Sequence, residues 1–408
     1  MKLSVMALDY DGTLAIDGVM EPSVREAIAA ARGNGVIVLI VTGRILDELR
    51  RVAGDLHFAD GVVAENGAIV HFPDSGHTRV LAPHVPAGFV EALHERGVAA
   101  GAGQCLVDAD AADRGVILET IRQMELPLVL VFNKGRVMML PAGVTKATGL
   151  RAALEMLRRS ERNTLAIGDA ENDHELLRVA EFGAAVAWGS ASLRAAADFV
   201  IPGNTPAAIG RYIGACAGRA WLPQPARPRR QLLLGHTEDS REFSLAARGR
   251  NVLIAGDAKS GKSWIGGLLC EQLILQGYSV CVIDPEGDYR SLEALPGVMI
   301  LGGEDPPPTP RELLKAFRYP NRSVVIDLSH LPQDAKIEQV HAILPALNVL
   351  RRKTGLPHRI LIDEAHYFLH GAHDLLDLEL HGYTVVTYCA SGLPADLLRA
   401  TEVLLVTC

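Results

Sequence analysis

The sequence predicts an α/β chain built from two doubly wound parallel-sheet domains. Short β-branched runs recur at residues 3–8, 36–41, 164–167, 252–255, 280–283, 324–326, 360–362 and 384–387, each followed by Gly or Asp and then a helical pattern. These runs are apolar without alternation, as strands buried on both faces are. Strands that alternate with helices form βαβ units, and so a parallel sheet. A Pro- and Arg-rich stretch at 221–230, WLPQPARPRR, separates two such series. Its prolines remove backbone donors and fix φ, which makes it an extended linker. The expected organisation is a first domain at 1–220, a linker at 221–231 and a second domain at 232–408. Weaker breaks fall at 72–86 and at 302–310, the latter a surface loop inside the second domain.

A length of 408 residues suits two or three domains. With 49% hydrophobic and 22% charged residues, the chain has enough apolar material to fold, which excludes disorder as its main state. Aromatics are only 5%, so Val, Leu, Ile and Ala must build the core. The net charge is −8 and neither half is basic. A broad electrostatic footprint for nucleic acid is therefore absent, and only a local patch would serve such a partner. Cys105, Cys216, Cys270, Cys281, Cys389 and Cys408 are far apart with no C-x-x-C pair, a pattern of reduced thiols. No apolar run approaches the roughly 18 residues of a membrane helix. Asp9 and Asp11 interrupt the N-terminal apolar stretch too early for a signal peptide, so the expected address is the cytoplasm.

The chemistry of the first domain begins at residues 3–14, LSVMALDYDGTL. Alternation on a strand puts Asp9 and Asp11 on one side. Two close carboxylates repel, and burying them is costly unless they are paired. Mg²⁺ is the natural remedy, since it prefers carboxylate and water oxygens. The bland reading is a strand followed by an acidic turn. Three further segments weigh against it. Residues 36–44, VIVLIVTGR, end in Thr42-Gly43, whose hydroxyl and amides can hold phosphate; Thr42 also reads as a helix N-cap. Lys146 precedes an apolar helical pattern, where a lysine is usually solvated. Residues 164–173, TLAIGDAEND, end a third strand in Gly168-Asp169, with Asn172 and Asp173 close behind. Those acids read either as helix caps or as the completion of a Mg²⁺ site.

These four segments, in this order, resemble the haloacid dehalogenase superfamily of phosphatases, and most of all its Cof-type IIB group of sugar and phosphoglycolate phosphatases. VVAENGAIV at 62–70 and AAADFVIPGNTPAAI at 195–209 are similar as well. The resemblance covers about residues 1–216. It implies a Rossmann-like core at 1–82 and 142–220 with an α/β cap inserted at about 83–141. It also implies catalytic roles for Asp9, Asp11, Thr42 and Lys146. Asp9 would be the nucleophile that forms an aspartyl-phosphate, and Asp11 the general acid and base. Asp9, the Asp11 carbonyl and Asp169 would bind Mg²⁺, with Asp173 in support. Thr42, Gly43 and Lys146 would hold the phosphate, and Asn172 would orient Asp9 or the phosphate. The substrate would be a small phosphorylated metabolite. One departure is Trp188-Gly189-Ser190-Ala191, where such proteins often carry GNA. In the cap, Gln104, Asp108, Asp110, Asp113 and Arg114 are polar candidates that read more simply as surface loop residues.

In the second domain, residues 251–263, NVLIAGDAKSGKS, run a buried strand into Gly256-x-x-x-x-Gly261-Lys262-Ser263 and then a helix. Backbone N–H groups of such a loop, here including those of Lys259 and Ser260, cradle phosphates. The helix N-terminus adds partial positive charge. Lys262 would reach the β- and γ-phosphates of ATP, and Ser263 the Mg²⁺. Residues 359–369, RILIDEAHYFL, supply Asp363 for the metal and Glu364 to polarise water; the bland reading is a helix cap. With VCVIDPEGDY at 280–289 and VVIDLSHL at 324–331, the domain resembles the HerA/FtsK-type P-loop ATPases. That resemblance covers about residues 232–408 and implies ATP binding, with oligomer assembly left open. The family's glutamine after the next strand is replaced here by Thr387-Tyr388-Cys389-Ala390-Ser391, and the sequence shows little room for an arginine finger or a DNA-gripping extension. The leading expectation is a Mg²⁺-dependent phosphatase with an ATP-binding domain that regulates it. The alternative is a HerA/FtsK-like ATPase acting on nucleic acid, with the phosphatase as accessory.

Overall fold

A computed structural model describes residues 1–133, 135–372 and 374–408. The chain divides into two compact units, Leu3–Ala226 and Arg227–Cys408 together with Met1–Lys2. The first unit is organised on an eight-stranded sheet. Its order is Phe199–Ile201, Phe182–Val186, Thr164–Gly168, Val5–Asp9, Ile37–Val41, Gly61–Ala64, Ile69–Phe72 and His77–Val80. The first six strands are parallel. All five residues of Val5–Asp9 and of Thr164–Gly168 are buried, because helices cover both faces of this sheet centre. Val5, Ala7, Leu39, Val41 and Ala166 pack on one face with Leu150 and Leu154 of the helix Lys146–Leu157.

One edge of this sheet differs from the parallel order expected of the core. Ile69–Phe72 and His77–Val80 are antiparallel and close one edge of the sheet. The second of these lies inside the 72–86 stretch that reads as a break, because a polar, fully exposed edge strand carries no apolar signal. Between this edge and Thr164–Gly168 the chain forms a separate four-stranded antiparallel sheet. Its strands are Leu128–Asn133, Arg136–Pro141, Val107–Asp110 and Gly101–Ala102. The helices Ala87–Glu95 and Arg114–Gln123 pack on one face through Phe89, Leu93, Ile117 and Ile121.

The second unit carries a seven-stranded sheet that is parallel throughout. Its order is Val298–Gly302, Ser323–Asp327, Val280–Asp284, Arg359–Ile362, Tyr383–Thr387, Val252–Gly256 and Val403–Thr407. Ile283, Ile326, Ile360, Ile362 and Val385 form a core with Val340, Leu344 and Leu347 of the long helix Gln333–Thr354. A hairpin of Gln231–His236 and Glu242–Ala246 precedes the sheet. Among the described residues no helix is long and apolar enough to cross a membrane. All six cysteines are free thiols.

The helix that carries Lys146 is set against the sheet edge by a close backbone approach. A Cβ on Gly149 would lie 2.5 Å from the Gly67 Cα and 2.7 Å from the Gly67 carbonyl oxygen. In a solvated helix Gly→Ala is stabilising by about 1 kcal/mol. Here the sign reverses: Gly149→Ala is expected to lower stability by about 1–3 kcal/mol, because the methyl has no room. Urea unfolding of the intact chain checks this, and a midpoint that rises or stays put would refute the packing argument.

Candidate functional site

Three carboxylates and one ammonium meet at the C-terminal edge of the first sheet. Asp9 is the last residue of its strand, Asp169 follows Thr164–Gly168, and Asp173 closes the short 3-10 turn Glu171–Asp173. Each offers a carboxylate oxygen within 4.8 Å of the others, and all three residues are buried. Lys146 opens its helix behind Thr145, whose hydroxyl accepts the Thr148 N–H in a capping box. Its Nζ donates to Asp9 Oδ1 and to Asp173 Oδ1, both at 2.6 Å. The Lys146 side chain is only 2% exposed. A cation in the first helical turn opposes the helix dipole, so the two carboxylates are what make this placement favourable. Asp173 Oδ2 also accepts the backbone N–H groups of Asp169 and Ala170, at 3.0 and 3.1 Å.

The charges do not balance. Three carboxylates against one ammonium leave a formal surplus of two negative charges in a buried space. Burial pushes the Asp9 carboxyl well above the ordinary range, and Asp173 raises it further, while Lys146 pulls it back. Burial works against the Lys146 charge, but Asp173 and Asp9 outweigh it and raise the ammonium above its usual range. Asp9 Oδ2 is buried without a hydrogen-bond partner among the described residues. A hard divalent cation fits this donor set, since it supplies the missing charge and takes an oxygen ligand that nothing else satisfies.

Around this cluster the structure places Thr42, buried just after Ile37–Val41, with its hydroxyl accepting the Arg44 N–H at 3.1 Å. A Cβ on Gly43 would touch Met138 Sδ at 3.1 Å and Asn172 Nδ2 at 3.7 Å, so the antiparallel sheet closes over this loop. Asn172 Nδ2 points to Asn66 Oδ1 at 3.4 Å. The Asp11 carboxylate lies elsewhere than alternation predicts. The strand ends at Asp9, Asp11 sits in the following turn, and Arg44 holds it with two contacts of 2.6 Å. Trp188 Nε1 donates to the Gly12 carbonyl at 2.7 Å and pins that turn. In the antiparallel sheet, Asp108 pairs with Arg136, the Asp110 side chain accepts the Ala112 N–H, and Arg114 donates to the Ala111 carbonyl. Asp113 precedes the first turn of Arg114–Gln123 without a side-chain cap bond.

In the second unit, the loop Gly256–Ser263 leads from its strand into the helix Lys262–Leu275. Lys259 and Gly261 adopt left-handed backbone, with φ of +64° and +89°. Lys262 Nζ donates to the Asp257 carbonyl at 2.7 Å, and Ser260 Oγ donates to the same carbonyl at 2.8 Å. Asp363 is buried at the end of Arg359–Ile362. Burial raises its carboxyl, while the Glu364 N–H and the Ser263 hydroxyl hold it back. Glu364 is raised by burial and by Asp363, against the pull of Lys262. The loop, Lys262, Ser263 and Asp363 are thus assembled at one sheet edge. Thr387, which opens the 387–391 stretch where a glutamine was expected, is buried and faces His366 Nδ1 at 3.1 Å. The Asp284 carboxylate accepts the N–H groups of Glu286, Gly287, Asp288 and Tyr289, and burial pushes it up to about 6.

Residues 6–96 and 95–213 match the family of haloacid dehalogenase-like hydrolases. The phosphoglycolate phosphatase of Methanothermobacter thermautotrophicus is 32% identical over 226 residues, which cover 53% of this chain and 98% of that protein. The chain belongs to the haloacid dehalogenase-like hydrolase family. The phosphoglycolate phosphatase of Natronomonas pharaonis is 36% identical over 208 residues, covering 48% of this hydrolase and 89% of the relative. A solved haloacid dehalogenase-like hydrolase from Bacteroides thetaiotaomicron aligns with a TM-score of 0.47 at 16% identity, over 52% of this chain and 99% of that one. Residues 248–337 match the central domain of the helicase HerA.

Of the residues singled out in the hydrolase sequence, Asp9, Asp169, Asp173 and Lys146 come together, and Thr42, Gly43 and Asn172 border them. The Asp11 side chain stands apart with Arg44. Arg44, Glu65 and Asn66 escape the sequence reading although they stand in quoted segments, because their roles depend on partners distant in sequence. Replacing Lys146 by Met would leave Asp9 and Asp173 as uncompensated buried charges. The expected cost is about 3–5 kcal/mol at neutral pH. It should shrink as pH falls, since the already raised Asp9 carboxyl takes up a proton in place of the lost cation. Urea titrations of the metal-free hydrolase at two pH values read this, and an equal loss at both would contradict it.

Proposed function

We propose that the first unit is a Mg²⁺-dependent phosphatase that hydrolyses a small phosphorylated metabolite, of the phosphoglycolate or sugar-phosphate class, through an aspartyl-phosphate on Asp9. The observation that carries this reading is the buried set of Asp9, Asp169 and Asp173 around Lys146, with its orphaned Asp9 Oδ2 and its two surplus negative charges. Phosphoglycolate phosphatases among the relatives point to the same class of substrate.

Asp9, Asp169 and Asp173 would hold the ion, with Asp11 contributing through its backbone carbonyl. When bound, Mg²⁺ supplies the positive charge that lets a carboxylate approach a phosphate dianion. A carboxylate oxygen of Asp9 forms the bond to phosphorus as the ester oxygen leaves, and Asp11 gives that oxygen its proton. Asp11 then takes a proton from water, whose oxygen attacks phosphorus and releases Asp9 and inorganic phosphate. Lys146 neutralises charge beside Asp9 throughout, and the Thr42 hydroxyl with the Gly43 amide receives the phosphoryl oxygens. A preorganised donor of this kind contributes on the order of 3–4 kcal/mol in the transition state. The sheet at 101–141 acts as a cap that excludes water. Arg44 holds the Asp11 carboxylate apart from the cluster, so that contact would have to open for Asp11 to reach the leaving oxygen.

For the second unit we propose ATP and Mg²⁺ binding at Gly256, Lys259, Ser260, Gly261, Lys262 and Ser263, with Asp363 toward the metal and Glu364 toward water. The match of residues 248–337 to a HerA central domain supports this. A regulatory role toward the phosphatase is the reading we prefer. A nucleic-acid-directed role gains nothing from a net charge of −8.

Phosphate release from phosphoglycolate with Mg²⁺ tests the reading, within a panel of phosphorylated metabolites assayed with and without ATP. Asp9→Asn is expected to lower the rate on the preferred substrate by on the order of 10³-fold or more. An Asp9→Asn protein that keeps its rate would remove the proposed nucleophile.

A further inference from the structure

Glu65 is a buried carboxylate that the chemistry above does not use. It sits at the end of Gly61–Ala64, 1% exposed, with a left-handed φ of +51°. Asn66 follows at φ +54°. A β-carbon-bearing residue in this region is strained, and two in a row need a compensating fit. Backbone bonds supply one side of it. The Glu65 N–H donates to the Arg44 carbonyl at 2.9 Å, and the Asn66 N–H donates to the Thr42 carbonyl at 3.0 Å. The turn therefore braces the same Thr42-Gly43-Arg44 segment that borders the carboxylate cluster.

The side chain reaches the other way, into the cap. Glu65 Oε2 accepts the Cys105 N–H at 2.7 Å, and Oε1 accepts the Gln104 N–H at 3.1 Å. No cationic side chain forms an ion pair with it among the described residues. A Cβ on Gly103 would lie 2.4 Å from Oε1, so the cap loop is shaped to the carboxylate. Next to this grip, Leu106, Met138 and Leu140 of the cap pack on Ile45, the residue after Arg44. A carboxylate buried against backbone amides alone loses its partners as soon as the loop departs.

We infer that Glu65 is a positioning residue: a latch that holds the 103–106 loop of the cap over the phosphoryl site and ties cap closure to the Thr42–Arg44 segment. The kinetic consequence rests on the phosphatase reading; the latch itself does not.

Amide hydrogen exchange on the full chain reads the latch directly. In Glu65→Ala the Gln104 and Cys105 amides should exchange about 10- to 100-fold faster, while those of Val5–Asp9 keep their wild-type rates. Gly103→Ala, which retains Glu65 but crowds it, should speed the same two amides. Glu65→Ala combined with Gly103→Ala should be no worse than the poorer single variant, since the methyl then enters vacated space. Kinetically, kcat/KM for phosphoglycolate should fall by up to about 100-fold in Glu65→Ala, and by less for an aryl phosphate that depends little on cap closure. Wild-type exchange at Gln104 and Cys105 in either single variant would overturn the latch, and so would losses that multiply in the double variant. Should Glu65→Ala fail to fold, Gly103→Ala decides by the same readout. Absence of phosphatase activity, with the exchange changes present, would sink the function and leave the latch standing.

Discussion

The pairing of Lys146 with Asp9 and Asp173 inside the first unit is the constraint on which the rest of that unit turns. None of the three tolerates burial alone; together they carry one surplus negative charge, and Asp169 makes it two. The ammonium can reach both carboxylates only if its helix begins at the sheet edge. Thr145 starts the helix there by capping it, and the glycine contact between Gly149 and Gly67 brings it close enough. Strand endings do the remaining placement. Three central parallel strands stop at one edge, so residues far apart in sequence arrive together without any loop having to reach for them.

Much of this was legible in the sequence. The central strands are apolar at every position because both faces are covered, and that pattern needs no partner to be recognised. Asp9 and Gly256 end such strands and Asp169 follows one directly, so their position at the edge follows from the strand itself. What escaped depends on pairing across the chain. Asp11 was expected beside Asp9, yet the strand ends two residues before it, and Arg44, 33 residues on, takes its carboxylate. His77–Val80 is an edge strand exposed at all four positions and lacks the apolar mark. Glu65 looks like any acid in a turn until its side chain is seen to hold amides of a loop about 40 residues away.

The two candidate sites offer opposite chemistry. The first gathers carboxylates, whose surplus negative charge would repel an anionic substrate unless a cation offset it. The second presents backbone N–H groups and a helix N-terminus, with Lys262 occupied meanwhile by the Asp257 carbonyl. In the first unit the surplus negative charge defines the site; in the second, a loop and a helix N-terminus do.

In the proposed phosphatase the surplus carboxylate charge receives a divalent ion. Calorimetric titration of Mg²⁺ into the nucleotide-free chain, with the thermal midpoint followed in parallel, tests it most directly. The wild-type chain is expected to bind the ion and to be stabilised by it. Asp169→Asn, with one negative charge fewer, should lose that response while being at least as stable without metal. A chain indifferent to Mg²⁺, or an Asp169→Asn protein that responds like the wild type, would contradict it.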